Sequence, residues 1–142
     1  MMTRLVVRLV AAALAGGLAC SAAAQSNGKR ALAEQTLMRA VLERGAFLAC
    51  ARLDTGKQTA EMLIRGWQID LTDSETALRV IGYSDDEIAA LRSRFDIEKA
   101  APKFADLASL GAYCSVLGDW RTRWQRLLVI LPQIELRRLV NP

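Results

Sequence analysis

Histidine is absent from the 142-residue chain, and this absence removes several kinds of site at once. Histidine is the usual general base for a serine or cysteine nucleophile, the commonest zinc ligand and the axial ligand of most haem groups. The chain also lacks C-x-x-C-H, G-x-x-x-x-G-K-[ST] and G-x-G-x-x-G motifs. An enzyme would have to rely on carboxylate, tyrosine or serine groups alone. We therefore expect a non-catalytic protein with no catalytic residue, cofactor or bound metal.

Long apolar runs are scarce as well. The run from Leu9 to Leu18 is too short and too rich in alanine and glycine to be a good membrane span. It follows the basic residues Arg4 and Arg8 and precedes a small-residue cleavage site, which is the layout of a secretory signal peptide. We predict a signal peptide over residues 1–24, cleaved after Ala24. The mature chain would then be periplasmic or secreted, without a transmembrane span.

A lipoprotein is the alternative interpretation of this segment, with Cys20 acylated after cleavage. The leucine before that cysteine is Leu18, whereas bacterial lipobox motifs usually carry their leucine one place earlier. An uncleaved N-terminal anchor is the third interpretation.

Charge of one sign is not abundant either. Without its first 24 residues the chain has 118 residues, enough for one domain (25–142) with its own core. Its formal net charge falls from +4 to +2 because Arg4 and Arg8 leave with the signal. A mild positive charge of mixed sign is typical of a solvated surface. We therefore expect no nucleic-acid partner.

Cysteine is limited to three residues, and only Cys50 and Cys114 remain if Cys20 leaves with the signal. An even pair in an oxidising compartment is typical of a structural disulfide. A redox-active pair would favour closely spaced thiols such as C-x-x-C, whereas Cys50 and Cys114 are far apart in the chain. A zinc site usually has four ligands, and two thiols without histidine are too few. We predict a Cys50–Cys114 disulfide.

One short segment predicts a complete corner between two helices. Gly82 suits the left-handed conformation that ends a helix. Ser84 and Glu87 have the spacing of a capping box at the start of the next helix. Tyr83 and Ile88 are placed to form a hydrophobic staple across that start.

Apolar residues recur at three- and four-residue steps along the rest of the chain, and no strand-like alternation is found. We predict an all-α fold, a small disulfide-linked bundle of five to six helices. The predicted helices cover residues 29–52, 58–81, 85–95, 102–110 and 120–131, with a short tail helix after Pro132. Residues 58–81 form either one long helix or two that are joined by a kink near Asp70–Asp73, and the capping-box sequence Thr72–Glu75 favours the break. We also predict a loose tail at Ser26–Gly28 and a surface pair between Arg39 and Glu43.

Acidic residues cluster in the middle of the chain: Asp70, Asp73, Glu75, Asp85, Asp86 and Glu87. They could form a cation site or an acid–base pair. The favoured interpretation is that they lie at helix N-termini, where the helix dipole and free N–H groups stabilise negative charge.

The C-terminal region has the opposite charge, and its apolar stripe predicts one face of a helix: Trp120, Trp124, Leu127, Leu128 and Leu131. Core packing accounts for that stripe. A second, partner-binding surface is the functional alternative, because apolar residues rimmed by arginine are typical of protein interfaces. Its candidate residues are Arg121, Arg123, Arg126, Val129 and Ile130.

The segment Gly82–Ile88, with Cys50 before it and Tyr113-Cys114 after it, resembles a family of small exported alphaproteobacterial proteins of unknown function. Members of that family pair an early cysteine with a later Tyr-Cys around a Gly-Tyr-Ser-Asp helix start. The resemblance covers residues 45–120 and implies a helical fold and an exported location, but no activity.

The end of this chain departs from the Gly-rich, basic ending of that family, since it carries Trp120, Trp124 and Pro132. The layout of an exported helical domain with one long-range disulfide is also similar to immunity proteins that neutralise type VI secretion amidases. We therefore predict a non-catalytic protein-binding module, inhibitor-like or immunity-like, with an unknown protein partner in the cell envelope. A periplasmic holdase-type stress chaperone is the alternative.

Overall fold

A computed structural model describes residues 3–53, 57–127, 129 and 131–141, with side chains from residue 24 onward. Six helices of eight or more residues and one single turn occupy this part of the chain. They are α1 (Thr3–Ala51), α2 (Lys57–Ile81), α3 (Asp85–Arg94), α4 (Ile97–Ala100), α5 (Leu107–Leu117), α6 (Trp120–Leu127) and α7 (Pro132–Val140). No strand is found among these residues, which confirms the predicted all-α class.

The core is formed where α1, α2 and α7 pack against one another, with the single turn α4 seated on α1. The largest fully buried side chains come from α1, α2, α7 and the residue that follows α3: Leu37, Phe47, Leu48, Trp67, Phe95 and Leu136. The Trp67 indole N–H also donates to the Phe95 carbonyl at 2.6 Å, which ties α2 to the end of α3. Burial of this apolar surface is the main stabilising contribution.

The corner between α2 and α3 has the predicted geometry. Gly82 has φ +113°, and the N–H groups of Gly82 and Tyr83 donate to Arg79 and Leu78, which is the hydrogen-bond pattern of a Schellman motif. Ser84 then caps α3 in a full capping box with Glu87. The prediction succeeds because every contact in it is local.

The staple residues of this corner, Tyr83 and Ile88, are both buried in the same core cluster. The backbone N–H of Ser84 donates to Glu87 at 2.8 Å. That hydrogen bond, reinforced by the Arg30 guanidinium, holds the pKa of the Glu87 carboxyl below its ordinary value.

Cys50 and Cys114 form the predicted disulfide, with their Cα atoms 5.6 Å apart. Cys50 is buried near the end of α1, while Cys114 is half-buried within α5. The bond therefore attaches α5, which contains no buried residue, to α1.

The predicted break near Asp70–Asp73 is wrong, because α2 continues from Lys57 to Ile81. The hydroxyl groups there do not cap a new helix. Thr72 Oγ1 donates to the Gln68 carbonyl at 2.9 Å, and Ser74 Oγ donates to the Asp70 carbonyl at 2.7 Å. A hydroxyl that donates to the carbonyl four residues earlier is compatible with an uninterrupted helix.

The predicted boundaries near the disulfide are also wrong. Pro102 lies in an extended connection instead of a helix, and α5 starts only after Asp106, whose carboxylate accepts from the Ser109 N–H at 2.7 Å. Gly111 lies inside α5 and does not end it. Gly118, with φ +58°, ends it instead.

The predicted long helix from Trp120 to Leu131 is divided in two. Helix α6 ends at Leu127, and Leu131 becomes the residue before α7, where Pro132 occupies the first turn. Leu136 of α7 is fully buried in the core, whereas Ile134 is 39% exposed. Leu128 lies outside the described residues.

The first helix begins earlier than predicted, since Ser26–Gly28 are helical and not a loose tail. The added residues lie beside the corner between α2 and α3, since a Cβ atom at Gly82 would lie 3.7 Å from Ser26 Oγ. Next to them along α1, Arg30 and Glu34 form ion pairs with Glu87 and Arg94 of α3. The predicted signal peptide overlaps α1 up to Ala24. The side chains of residues 1–23, Cys20 included, lie outside the described residues, as do residues 54–56.

Gly45 is where α1 and α4 approach most closely, and this contact generates a stability prediction. A Cβ atom at Gly45 would lie 2.8 to 2.9 Å from backbone atoms of Ala100 and Ala101. We expect Gly45→Ala to lower the free energy of unfolding by about 1–3 kcal/mol, because the backbone there has to move. The measurement is urea denaturation followed by circular dichroism.

Gly66→Ala is the matched control, because Gly66 lies within α2 with no atom within 4 Å of its added Cβ. It should raise stability by about 0.5–1 kcal/mol through helix propensity alone. Equal effects of the two substitutions would contradict the close α1–α4 contact.

The disulfide generates a second prediction. It closes a loop of 64 residues, so the double variant Cys50→Ser/Cys114→Ser should lose about 4 kcal/mol of unfolding free energy by the chain-entropy relation. Urea denaturation of the reduced wild type should match that of the double variant. Reaction of either thiol with iodoacetamide before reduction would show that the bond does not form.

Candidate functional site

The five predicted partner-binding residues are not all in one place. Arg121, Arg123 and Arg126 lie on α6, but only Arg123 and Arg126 line a groove; the Arg121 guanidinium lies 5.0 Å from the centre of the Trp120 ring. Val129 is 73% exposed and is not part of that groove. Ile130 lies outside the described residues.

The groove lies between α1, α6 and α7 and has a volume of about 400 Å³. Helix α1 contributes one wall, α6 the second and the start of α7 the third. Charged residues dominate its lining: Arg39, Glu43, Arg44, Arg123, Arg126 and Glu135. Smaller apolar surfaces between them come from Ala40, Leu127 and Pro132.

Two ion pairs span the groove from wall to wall. Arg39 of α1 pairs with Glu135 of α7, and Glu43 of α1 pairs with Arg123 of α6 at 3.3 Å. The predicted pair between Arg39 and Glu43 within α1 is therefore wrong, since each residue has an opposite charge on a neighbouring helix instead. These two bridges hold α6 and α7 beside α1.

Arg44 lines the floor of the groove and pairs with Asp70 of α2, which lies outside the lining. The Arg44 Nη2 and Asp70 Oδ2 atoms lie 2.9 Å apart, and the two side chains are only 6% and 11% exposed. Arg44 also donates to the Ala40 carbonyl, and its guanidinium lies 5.2 Å from the centre of the Trp67 ring. The Arg44 guanidinium is thus held in place by Asp70, the Ala40 carbonyl and the Trp67 ring.

Burial dominates the electrostatics of this pair. Removal from water raises the pKa of the Asp70 carboxyl, and the facing Arg44 guanidinium opposes that change. Burial likewise lowers the pKa of Arg44, with Asp70 acting in the opposite direction. Each charge is therefore retained in the core only through its partner.

Gln133 of α7 acts on this buried pair, although it does not line the groove. Its side chain is 5% exposed, and its interaction with Asp70 lowers the pKa of that carboxyl. Within residues 24–53, 57–127, 129 and 131–141, its Oε1 atom has no hydrogen-bond partner although it is buried. The same side chain thus stabilises the ion pair and leaves one acceptor unused.

Sequence reasoning did not find this polar core, although a signal for it exists. Arg44 follows Val41 and precedes Leu48 on the buried side of α1, and Asp70 lies between Trp67 and Leu71 on the buried side of α2. A charged residue at the centre of an apolar stripe indicates a buried ion pair when a second stripe carries the opposite charge.

The acidic cluster is divided by the fold. Asp85, Asp86 and Glu87 occupy the first turn of α3, as the helix-dipole interpretation expects. Asp70, Asp73 and Glu75 lie inside α2 and not at an N-terminus, so the interpretation is wrong for them. Glu75 instead pairs with Arg79 and Arg92.

Two further findings concern the described part of the chain. It holds no group of three or more cysteine, aspartate or glutamate side chains arranged to bind a metal ion. It also holds no helix that combines the length and the apolar character needed to cross a membrane.

Comparison of the chain with known protein families, with curated proteins and with solved structures finds no match to any of them. The resemblance around Gly82–Ile88 therefore stays a prediction. Any functional conclusion rests on the groove itself.

The buried pair generates the prediction of this subsection. Arg44→Met or Asp70→Leu alone should lower the free energy of unfolding by about 3–5 kcal/mol, because each leaves one buried charge without its partner. The double variant Arg44→Met/Asp70→Leu should cost less than Arg44→Met alone. Urea denaturation of all three variants measures this.

Arg52→Met is the matched control. Arg52 pairs with Glu98 at 3.1 Å, but both side chains are about half exposed, so the loss should stay within about 1 kcal/mol. Strictly additive effects of the Arg44 and Asp70 substitutions would contradict the pairing.

Proposed function

We propose that this protein is a non-catalytic, exported protein-binding module whose partner is a protein of the cell envelope, in the manner of an inhibitor or an immunity protein. The observation that carries the proposal is the arginine-lined groove between α1, α6 and α7. Arginine is enriched in the parts of protein interfaces that contribute most to affinity, because one guanidinium offers five donors and a flat face.

The rigidity of the groove supports the same function. Its floor is Arg44, which is held by the buried ion pair with Asp70, and its walls are joined by the Arg39–Glu135 and Glu43–Arg123 bridges. A site that is already ordered loses little conformational entropy when a partner binds. Two of the five residues predicted from the sequence, Arg123 and Arg126, lie in it.

An exported location is supported by two independent features. The first 24 residues have the layout of a signal peptide. The Cys50–Cys114 disulfide is of the kind that persists in oxidising compartments. An envelope protein is the class of partner that a periplasmic or secreted chain would meet.

The holdase alternative is favoured by a different observation, the surface of α5. None of its eleven residues is charged and none is buried, and Leu107 and Val116 are 76% and 89% exposed. An exposed apolar helix of this kind can contact unfolded chains. It lies outside the arginine groove, so the two functions can be tested separately.

Chemical cross-linking in an envelope extract of the source organism tests the first proposal. The mature chain carrying Arg126→Glu is compared with Arg65→Glu, the same charge change at an exposed position of α2 outside the groove. We expect one defined protein, verified by binding after purification, that wild type and Arg65→Glu retain and Arg126→Glu loses. Equal retention by both variants, or no such protein, would overturn the proposal.

Suppression of the thermal aggregation of citrate synthase, measured without reductant so that the Cys50–Cys114 bond stays intact, tests the alternative, with Leu107→Lys/Val116→Lys as the variant. A holdase should suppress aggregation, more strongly after acidification, and the variant should not. A rigid binder should show no suppression at either pH.

A further inference from the structure

We propose that the groove between α1, α6 and α7 receives an acidic segment of the partner protein. The carboxylate side chains of that segment would be bound by Arg126 and by the N–H donors of Arg39 and Arg123 that their own glutamate partners leave unused. This inference rests on the proposed function, because it assumes that the ligand is a protein. It adds the chemistry that would select that protein.

Arg126 supplies the first part of the argument. Arg39, Arg44 and Arg123 each pair with a carboxylate of the chain itself. Arg126 also lines the groove, yet it has no carboxylate partner among the residues that the structure describes. The groove therefore holds one more guanidinium than the carboxylates that neutralise it, which favours an anionic ligand.

Unused donors on the two wall arginines supply the second part. Arg39 and Arg123 each reach their glutamate through one nitrogen, Nη2, and their side chains remain 68% and 41% exposed. Since a guanidinium has five N–H donors, each can bind a second carboxylate without releasing the first. With Arg126 they present three cationic groups around one opening.

The remaining lining favours a peptide over a nucleic acid. Glu43 and Glu135 stand at the same opening and would repel a polymer with a phosphate at every step. Ala40, Leu127 and Pro132 give short apolar surfaces between the charges, on which aliphatic stems and small side chains can pack. Carboxylates separated by small apolar residues fit this alternation.

Fluorescence anisotropy with a labelled peptide of alternating glutamate and alanine is the direct test. Wild type and Arg65→Glu should bind it equally at low salt, with affinity that falls as salt rises. Arg126→Glu should weaken binding by about tenfold, and Arg126→Gln by a smaller factor, because only the first introduces repulsion. Circular dichroism establishes that both variants stay folded, as expected for an exposed side chain.

Three competitors define the ligand class: the glutamine–alanine peptide, free glutarate and a thymidine oligonucleotide. Each should compete poorly with the acidic peptide. Equal binding of the glutamine peptide, stronger binding of the oligonucleotide, or full competition by glutarate would overturn the inference. Equal affinity of the acidic peptide for wild type and Arg126→Glu would overturn it too.

The two proposals fail in different ways. If Arg126→Glu loses the cross-linked protein but the acidic peptide does not bind, the acidic-segment inference is wrong and the protein-binding function stands. If the acidic peptide binds in an Arg126-dependent manner and no envelope protein is retained, the groove chemistry is right and the proposed function is wrong.

Discussion

The ion pair between Arg44 and Asp70 is the constraint on which the arrangement of the bundle depends. Two charges in an apolar core are stable only in the register that brings them within hydrogen-bond distance, here 2.9 Å. That register fixes α1 against α2. Helix α7 is also involved, because the buried Gln133 side chain acts on the same carboxylate and lowers the pKa of Asp70. The groove is a consequence, since its floor is the guanidinium of that pair and its third wall is the beginning of α7.

Helix α1 is the common partner of every other helix in the described part of the chain. Five of them are joined by ion pairs to α1 or to Arg52, the residue that follows it: Arg44–Asp70 to α2, Arg30–Glu87 and Glu34–Arg94 to α3, Arg52–Glu98 to α4, Glu43–Arg123 to α6 and Arg39–Glu135 to α7. The sixth, α5, is joined by the disulfide. Every one of these links lies at or after Arg30, so cleavage after Ala24 would leave them all in place. The exposed pairs contribute little stability individually, but each selects one position of a helix along α1.

Features that depend on residues close together in the chain were predicted correctly from the sequence. Features that depend on contacts between different helices were not. The capping corner at Gly82–Glu87 needed only its own residues, and it was right in each hydrogen bond. The break in α2 was wrong because the hydroxyls of Thr72 and Ser74 can either cap a new helix or return to the preceding turn, and packing decides between the two. The Arg39–Glu43 pair was wrong for a related reason. Helix spacing shows which charges are neighbours on one helix, but not which charges another helix brings to them. Glu135 is 96 residues from Arg39 in the chain, and Arg123 is 80 residues from Glu43.

The two surfaces available for function depend on different parts of this arrangement. Helix α5 has no buried residue and is attached by the Cys50–Cys114 bond, with half-buried side chains such as Tyr113 adding partial contacts. Its exposed apolar face therefore depends on an oxidising environment. The groove does not, because buried Trp120 and the Glu43–Arg123 bridge hold α6 while Leu136 and Gln133 hold α7. Reduction should consequently affect a function of α5 before it affects one of the groove. The redox dependence of any measured binding thus indicates which surface is responsible for it.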